Sequence, residues 1–284
     1  VAVMQNLEKY FEQFRRKITG IDSSIKTPYG QKPLVYADWI ASGRLYGPIE
    51  KRISEDIGVM VGNTHSESSA TGAAMTEAYN VAHRVVKKHV NAGEMDVLLF
   101  TGSGMTGAIA KLQRILGLKV PEQSVRFCGL PGTSGYKRCR DIPARNRPVV
   151  FITHIEHHSN QTSWFETLAE VVTIEPGPGL KVDPENLRKI IGKYKSRPLL
   201  IGSFSACSNV TGYMPPYYEL AKIMHEYNGY CFVDFAASAP YVDIDMHPAN
   251  PKEQLDAIFF SPHKFLGGPG SAGVLIFNKK LYRN

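Results

Sequence analysis

Apolar residues in this chain come in short runs, and between the runs they recur every three or four positions. The runs at 97–101, 149–153, 171–174, 199–203, 230–234, 257–260 and 274–277 have the length and composition of buried strands. A shorter one at 34–38 (Leu34-Val35-Tyr36-Ala37-Asp38) reads as a further strand. Helical spacing predicts an amphipathic helix over 4–18, with Leu7, Phe11, Phe14 and Ile18 on one face. Others are predicted from Gly47-Pro48, over 73–90, 104–116, 160–168 and 215–227, and from Pro184 to Tyr194 behind an Asp183 N-cap. Strands alternating with helices imply an α/β fold, a mostly parallel sheet of about seven strands sandwiched by helices. Residues 119–148, rich in Pro, Gly and Arg, interrupt the rhythm as a long excursion. There is no internal repeat.

Composition narrows the class without naming it. At 284 residues, with 43% hydrophobic and 21% charged residues, the chain has the makings of one large globular domain. No apolar run reaches the ~18 residues of a membrane helix. The N-terminus has no signal-peptide pattern. The formal charge of +7 is dispersed, its densest group being Lys137-Arg138 with Arg140, Arg145 and Arg147, and no stripe of stacking aromatics accompanies it. A small anionic ligand or a solvated surface fits that dispersed charge better than nucleic acid, and no membrane partner is expected. The four cysteines (Cys128, Cys139, Cys207, Cys231) lack CxxC spacing, so a cytoplasmic setting without a disulfide framework or zinc knuckle is expected.

Polar groups collect where the predicted strands end, which is where ligands sit in open α/β sheets. After the first run of the series comes Thr101-Gly102-Ser103-Gly104-Met105-Thr106-Gly107, opening a helix. Glycines admit an anion close to the backbone, and a helix N-terminus offers free N–H groups. An ordinary glycine-rich turn is the alternative, since neither a Walker nor a dinucleotide pattern is complete. Further on come Thr153-His154-Ile155-Glu156-His157-His158-Ser159-Asn160, then Ser208-Asn209-Val210-Thr211-Gly212, then Asp234 at the tip of an apolar run. His154, Glu156, His157 and His158 could bind a metal, or one imidazole could lie on a planar ligand. Asp234 could cap the following helix or hold a protonated ring nitrogen. Finally, Ser261-Pro262-His263-Lys264 and a glycine-rich loop separate the last two strands. Taken alone, this lysine could be a solvated loop residue at a strand end, or one whose desolvation lowers its amine pKa and suits it to forming a Schiff base with an aldehyde. An anion cradle, an imidazole, an aspartate and an amine together meet the needs of pyridoxal phosphate.

The order and spelling of these motifs resemble the class V aminotransferase family, which includes cysteine desulfurases and selenocysteine lyases. The resemblance covers roughly residues 34–277. It implies a fold-type I large domain binding pyridoxal 5'-phosphate, with Lys264, His157 and Asp234 as catalytic residues. Glu156-His157-His158-Ser159-Asn160 with Trp164 looks like the family's EHHxN…W block, whose first histidine, here His157, stacks on the cofactor ring. Gly104-Met105-Thr106 resembles the phosphate turn. Asn209 is implied near the cofactor oxygen and the substrate carboxylate, Ser261 and His263 on the phosphate, and Lys264 as the Schiff-base lysine. Asn63-Thr64-His65-Ser66 resembles a further segment near the site.

The resemblance further implies an amino acid substrate and a homodimer, with no metal. Two departures stand out. Where the family carries a glutamine against the cofactor's phenolic oxygen, this chain has Ala237, with Ser238 next to it as a possible substitute. The chain also stops 20 residues after Lys264. We therefore expect a helical segment over 1–33, a cofactor-binding domain over 34–284, and a fragment without the C-terminal small domain, which in the family carries a carboxylate-binding arginine and the desulfurase cysteine. Cys128 and Cys139, among basic residues, are the candidate activated thiols, and Cys207 and Cys231 read as core. The competing functions are an inactive cofactor-fold remnant acting as a scaffold and a metal hydrolase built on the histidines.

Overall fold

The computed structural model describes residues 7–121 and 142–282. Most of the predicted excursion lies outside these residues, as do Cys128, Cys139, Arg126, Lys137, Arg138 and Arg140. The chain clusters into two compact units, Val86–Ser261 with Ala272–Asn284, and Val1–Val85 with Pro262–Ser271.

In the larger unit the apolar runs become a seven-stranded sheet. Its strands are β3 (Asp96–Thr101), β4 (Val149–Ile152), β5 (Glu170–Thr173), β6 (Leu200–Ser205), β7 (Tyr230–Asp234), β8 (Ala257–Phe260) and β9 (Gly273–Asn278), in the spatial order β3-β9-β8-β7-β6-β4-β5. Strand β9 runs antiparallel to both its neighbours, and the other ladders are parallel. Six strands therefore share one direction, and their carboxyl ends line one edge of the sheet. Alternate residues pack into two layers. Val150, Ile152, Ile201, Phe232, Ala257, Phe259, Leu275 and Phe277 meet Met105, Ile109 and Leu112 of helix α4 (Gly104–Ile115) and Trp164 of α5 (His158–Phe165). On the other side, α6 (Pro184–Ile191) packs on α7 (Tyr217–Glu226), which lies against β6 and β7. Burial on both faces explains runs of apolar residues without polar alternation.

Helix ends follow local chemistry. Asp183 Oδ1 accepts from the Glu185 N–H at 3.0 Å, with Pro184 in the first turn of α6. Helix α3 (Ala70–His89), α4 and α7 each close through a residue in the left-handed region, Asn91, Gly117 and Asn228. The next N–H then reaches back five residues in each case, from Ala92 to Lys87 O, Leu118 to Gln113 O and Gly229 to Met224 O.

The smaller unit holds α1 (Leu7–Arg15), a hairpin of β1 (Ser24–Thr27) and β2 (Gly30–Pro33), and α2 (Gly47–Arg52) running into irregular turns to Met60. Helix α1 forms as its periodicity predicts, yet Leu7, Tyr10, Phe11 and Phe14 all remain exposed. The strand expected over 34–38 does not form. Val35 stands out in solvent, and the Tyr36 hydroxyl donates within its own loop, to Ser42 O at 2.8 Å, with Asp38 O 3.0 Å away. No helix among the described residues is long and apolar enough to cross a membrane.

One packing detail sets a pH dependence. His225 of α7 directs Nδ1 at Lys252 O (2.7 Å) and Nε2 at Asp256 Oδ2 (2.8 Å), and Asp256 also accepts from the Cys231 N–H (2.8 Å). Both of its partners are acceptors, so both ring nitrogens donate and the imidazole is charged. Burial opposes that charge, but the Asp256 hydrogen bond, its negative charge and the Lys252 carbonyl outweigh it and hold the His225 pKa above its ordinary value. A raised folded-state pKa stabilises the fold fully below the unfolded value of about 6.5, and this contribution disappears as pH rises through the folded value. Melting temperature is therefore expected to fall as pH is raised from 6 to 9. His225→Gln should flatten that slope and cost about 2 kcal/mol at pH 6. A profile identical in the variant would rule the clip out.

Candidate active site

The site edge is built first at the turn between β3 and α4. Gly102 and Gly104 take φ of 58° and 71°, in the left-handed region open to glycine. Folding back this tightly brings the start of β9 under the turn, where a Cβ on Gly273 would lie 2.0 Å from Gly104 O. The Met105 N–H then donates to Ser261 Oγ at 2.8 Å, joining the head of α4 to the residue that follows β8. Next to it, Thr106 Oγ1 donates to Ser159 Oγ at 2.8 Å. Met105, Thr106 and Ser261 thus come together at one corner. Ser261 accepts from an N–H and keeps its own proton to give. Ser159, whose role was not read from the sequence, joins the corner from α5.

The turn after β4 carries His157, which caps α5, its Nδ1 accepting from the Ser159 N–H at 3.2 Å. Behind it lies a polar network. Glu156 accepts from Thr153 Oγ1 (2.6 Å) and the Thr153 N–H (3.3 Å) on one oxygen, and from Asn160 Nδ2 (2.6 Å) and Ser205 Oγ (2.7 Å) on the other. Asn160 Oδ1 receives Trp164 Nε1 (3.3 Å) and Ser203 Oγ (2.6 Å). The indole nitrogen only donates, so the atom facing it is the amide oxygen and the Asn160 orientation is fixed. Burial pushes the Glu156 pKa upward, against these hydrogen bonds, each of which favours the charged form. With four donors in place the carboxylate is the form that satisfies them all. The spelling of this block is therefore largely a brace tying the His157 turn to β6.

The histidines do not converge on a metal. His154 Nε2 lies 2.8 Å from Leu180 O, and the His157 and His158 rings are 6.1 Å apart and tilted by 48°. Among the described residues no group of three His, Cys, Asp or Glu side chains could hold a metal ion. The metal-hydrolase alternative has no geometric basis there.

Asp234 ends β7 in register with Ser205 of β6 and Phe259 of β8, and its Oδ1 accepts from the Ala236 N–H at 2.8 Å. It caps its own turn, and the carboxylate is buried at the same edge. In that turn Ala237 is largely buried, and the buried Ser238 Oγ has no hydrogen-bond partner among the described residues. Ser208 Oγ closes its loop by accepting from the Val210 and Thr211 N–H groups, both at 3.3 Å, and Gly212 takes φ of 71°. Asn209 lies between, partly exposed. The two described thiols are both free. Burial raises the Cys207 pKa, and burial followed by the Asp256 charge raises that of Cys231 well above the ordinary thiol value. Neither is activated as a nucleophile.

In the smaller unit, residues 262–264 form one turn of 3-10 helix carrying His263 and Lys264. Burial, followed by the Lys264 charge, lowers the His263 pKa, so its imidazole is neutral near pH 7. The turn closes through Phe265 N–H to Pro262 O (2.9 Å) and Gly268 N–H to Phe265 O (3.0 Å). Ser271 Oγ, at the end of this loop, is buried without a partner among the described residues.

Comparison with known proteins places the chain. The aminotransferase class-V family model matches residues 140–284, about half of the chain. A probable cysteine desulfurase of Halalkalibacterium halodurans is 26% identical over 251 residues, covering 88% of this chain and 54% of that protein. A cysteine desulfurase of Synechococcus elongatus is 25% identical over 255 residues, covering 88% and 35%. The chain spans about half the length, or less, of these relatives. Solved cysteine desulfurases of Thermococcus onnurineus and Escherichia coli share the fold, each with a TM-score of 0.65, at 19% and 21% identity, covering 94% and 95% of this chain and 56% and 58% of theirs. The mostly parallel seven-stranded sheet has the fold-type I arrangement of those neighbours, and the chain belongs to the class V aminotransferase family.

Proposed function

We propose that this chain is the cofactor-binding part of an enzyme that acts on an amino acid through pyridoxal 5'-phosphate, of the cysteine desulfurase type, with Lys264 as the residue that receives the cofactor's aldehyde. The observation that carries this reading is the Met105–Ser261 hydrogen bond. It makes a donor corner fit for a phosphate, in a chain that reaches its lysine three residues later. Further support comes from the unpartnered buried hydroxyls of Ser238 and Ser271, groups whose desolvation is offset when a bound molecule accepts from them. When bound, pyridoxal phosphate supplies an aldehyde that condenses with amines and a ring that withdraws electrons from the amino acid's Cα.

The chain's own residues would divide the work as follows. At the head of α4 the Ser261 hydroxyl, which keeps its own proton, and neutral His263 would donate to the phosphate, with the Met105 N–H and Thr106 joining them on release of the bonds they make here to Ser261 and Ser159. Gly104 keeps the backbone free to approach it. Asp234 accepts from the ring nitrogen and keeps a proton there. His157, its Nδ1 held by the Ser159 N–H, presents its imidazole face to the ring. Asn209 orients the carboxylate of the substrate, and the Lys264 amine takes a proton from Cα and returns it. A homodimer belongs to the same reading, and the exposed apolar stripe of α1 offers a surface of the kind that a subunit covers. So does a cytoplasmic setting, in keeping with the free Cys207 and Cys231.

Borohydride treatment of the protein mixed with pyridoxal phosphate is expected to fix the cofactor on the peptide containing Lys264. Lys264→Ala should abolish that label and lower turnover of cysteine by roughly 10²- to 10⁴-fold. A label scattered over surface lysines would sink the reading. Asp234→Asn should leave the Lys264 label in place while turnover drops by a similar factor, because a neutral amide does not hold a proton on the ring nitrogen. Unchanged turnover in that variant would remove Asp234 from its role.

A further inference from the structure

The turn that carries Lys264 does not stand alone in the smaller unit. Residues 42–44 run along its backbone and bond to it on both sides of the lysine. The Gly43 N–H donates to His263 O at 2.9 Å, and the Gly267 N–H donates to Arg44 O at 2.7 Å. The contact is close enough to exclude any side chain at position 43. A Cβ there would lie 1.9 Å from Phe265 O, 2.7 Å from Phe265 C and 3.2 Å from Lys264 C. Those atoms are backbone, so the intrusion has no flexible side chain to push aside. Gly43 is buried. On the far side, a Cβ on Gly268 would lie 1.9 Å from Pro262 O, so the turn has no slack in that direction either.

The loop that supplies Gly43 is itself pinned. Tyr36 Oη donates to Ser42 O at 2.8 Å and lies 3.0 Å from Asp38 O, and the Arg44 guanidinium sits 5.0 Å from the centroid of the Tyr36 ring. Arg44 Nη2 in turn donates to Thr19 O at 3.0 Å. A phenol holds the loop, the loop holds Gly43, and Gly43 sets the height of the Lys264 backbone.

We propose that residues 36–44 are a positioning platform for Lys264, with Gly43 as the residue whose missing side chain fixes where the amine is delivered. The platform rests on the reading of Lys264 as the amine that receives an aldehyde. It adds to that reading a segment more than two hundred residues away in sequence. Gly43 touches no reacting atom and acts only through the turn. A displacement of about 1 Å at a reacting group is enough to cost on the order of a hundredfold in rate, which is the scale of shift that an added methyl group would force.

Two measurements on Gly43→Ala test this, both made at a temperature where the variant keeps the far-ultraviolet circular dichroism of the wild type. In the first, pyridoxal phosphate and borohydride are added and the rate of labelling at Lys264 is followed by mass spectrometry. We expect it to fall by on the order of tenfold to a hundredfold. In the second, no cofactor is present, and limiting acetic anhydride reports the acetylation rate of Lys264 relative to the protein's other lysines. That ratio is expected to change in Gly43→Ala at Lys264 alone. Tyr36→Phe removes the pin without inserting an atom, keeps the test open if Gly43→Ala does not fold, and should change both rates in the same direction by a smaller factor. Wild-type labelling and acetylation rates at Lys264 in both folded variants would overturn the platform. Failure of the wild type to take pyridoxal phosphate at Lys264 would overturn the proposed function instead, and the acetylation ratio would still decide on the platform.

Discussion

The hydrogen bond from the Met105 amide to Ser261 Oγ joins residues 156 positions apart, and the rest of the site edge is arranged around it. It requires the β3–α4 turn to fold back on itself, which is why Gly102 and Gly104 sit in the left-handed region. It requires β9 to enter the sheet beneath that turn without a side chain, which Gly273 provides. It also requires β8 to run in the same direction as β3, with β9 reversed between them, so that both carboxyl ends reach one edge. Strand polarity thus brings residues from distant parts of the sequence onto a single line.

The second constraint is the cost of burying Glu156. An unpaired carboxylate there would be strongly unfavourable, and the structure meets this with four donors drawn from Thr153 just after β4, from α5 and from β6. The consequence is mechanical. Because Asn160 is fixed by Trp164 and Ser203, the first turn of α5 has one available position, and with it the capping nitrogen of His157. A network of this kind fixes geometry more than it adds stability, since removing any one donor leaves a buried acceptor unsatisfied.

Much of this was legible in the chain itself. The strands of the large sheet announce themselves because burial on both faces leaves no room for polar alternation, as in Ala257-Ile258-Phe259-Phe260, where both side-chain layers are apolar. That Met105, His157, Asp234 and Ser261 fall along one edge of the sheet could be read because each follows the end of an apolar run. What could not be read depends on partners distant in sequence. Residues 34–38 have strand-like composition, yet the Tyr36 hydroxyl is used by its own loop and no neighbouring strand accepts the segment. Glu156 and Asn160 look like site residues on spelling alone, and only Ser203, Ser205 and Trp164 show them to be a brace. Nothing near Gly43 in sequence marks it off from the other glycines.

The same distinction accounts for the divided character of the Ser261-Pro262-His263-Lys264 box. Ser261 is fixed by the large sheet, through β8 and Met105, whereas the turn carrying Lys264 is fixed by the backbone of residues 43 and 44. A lysine on a turn gains accuracy only from what restrains its backbone, because its side chain has four rotatable bonds of its own. Two backbone hydrogen bonds and two glycines packed at contact distance provide that restraint. The neutral state of His263 follows from the same packing, since desolvation and the lysine's charge both act against a second positive group. A turn whose main chain is tied on both sides of Lys264 sets the point from which that side chain starts.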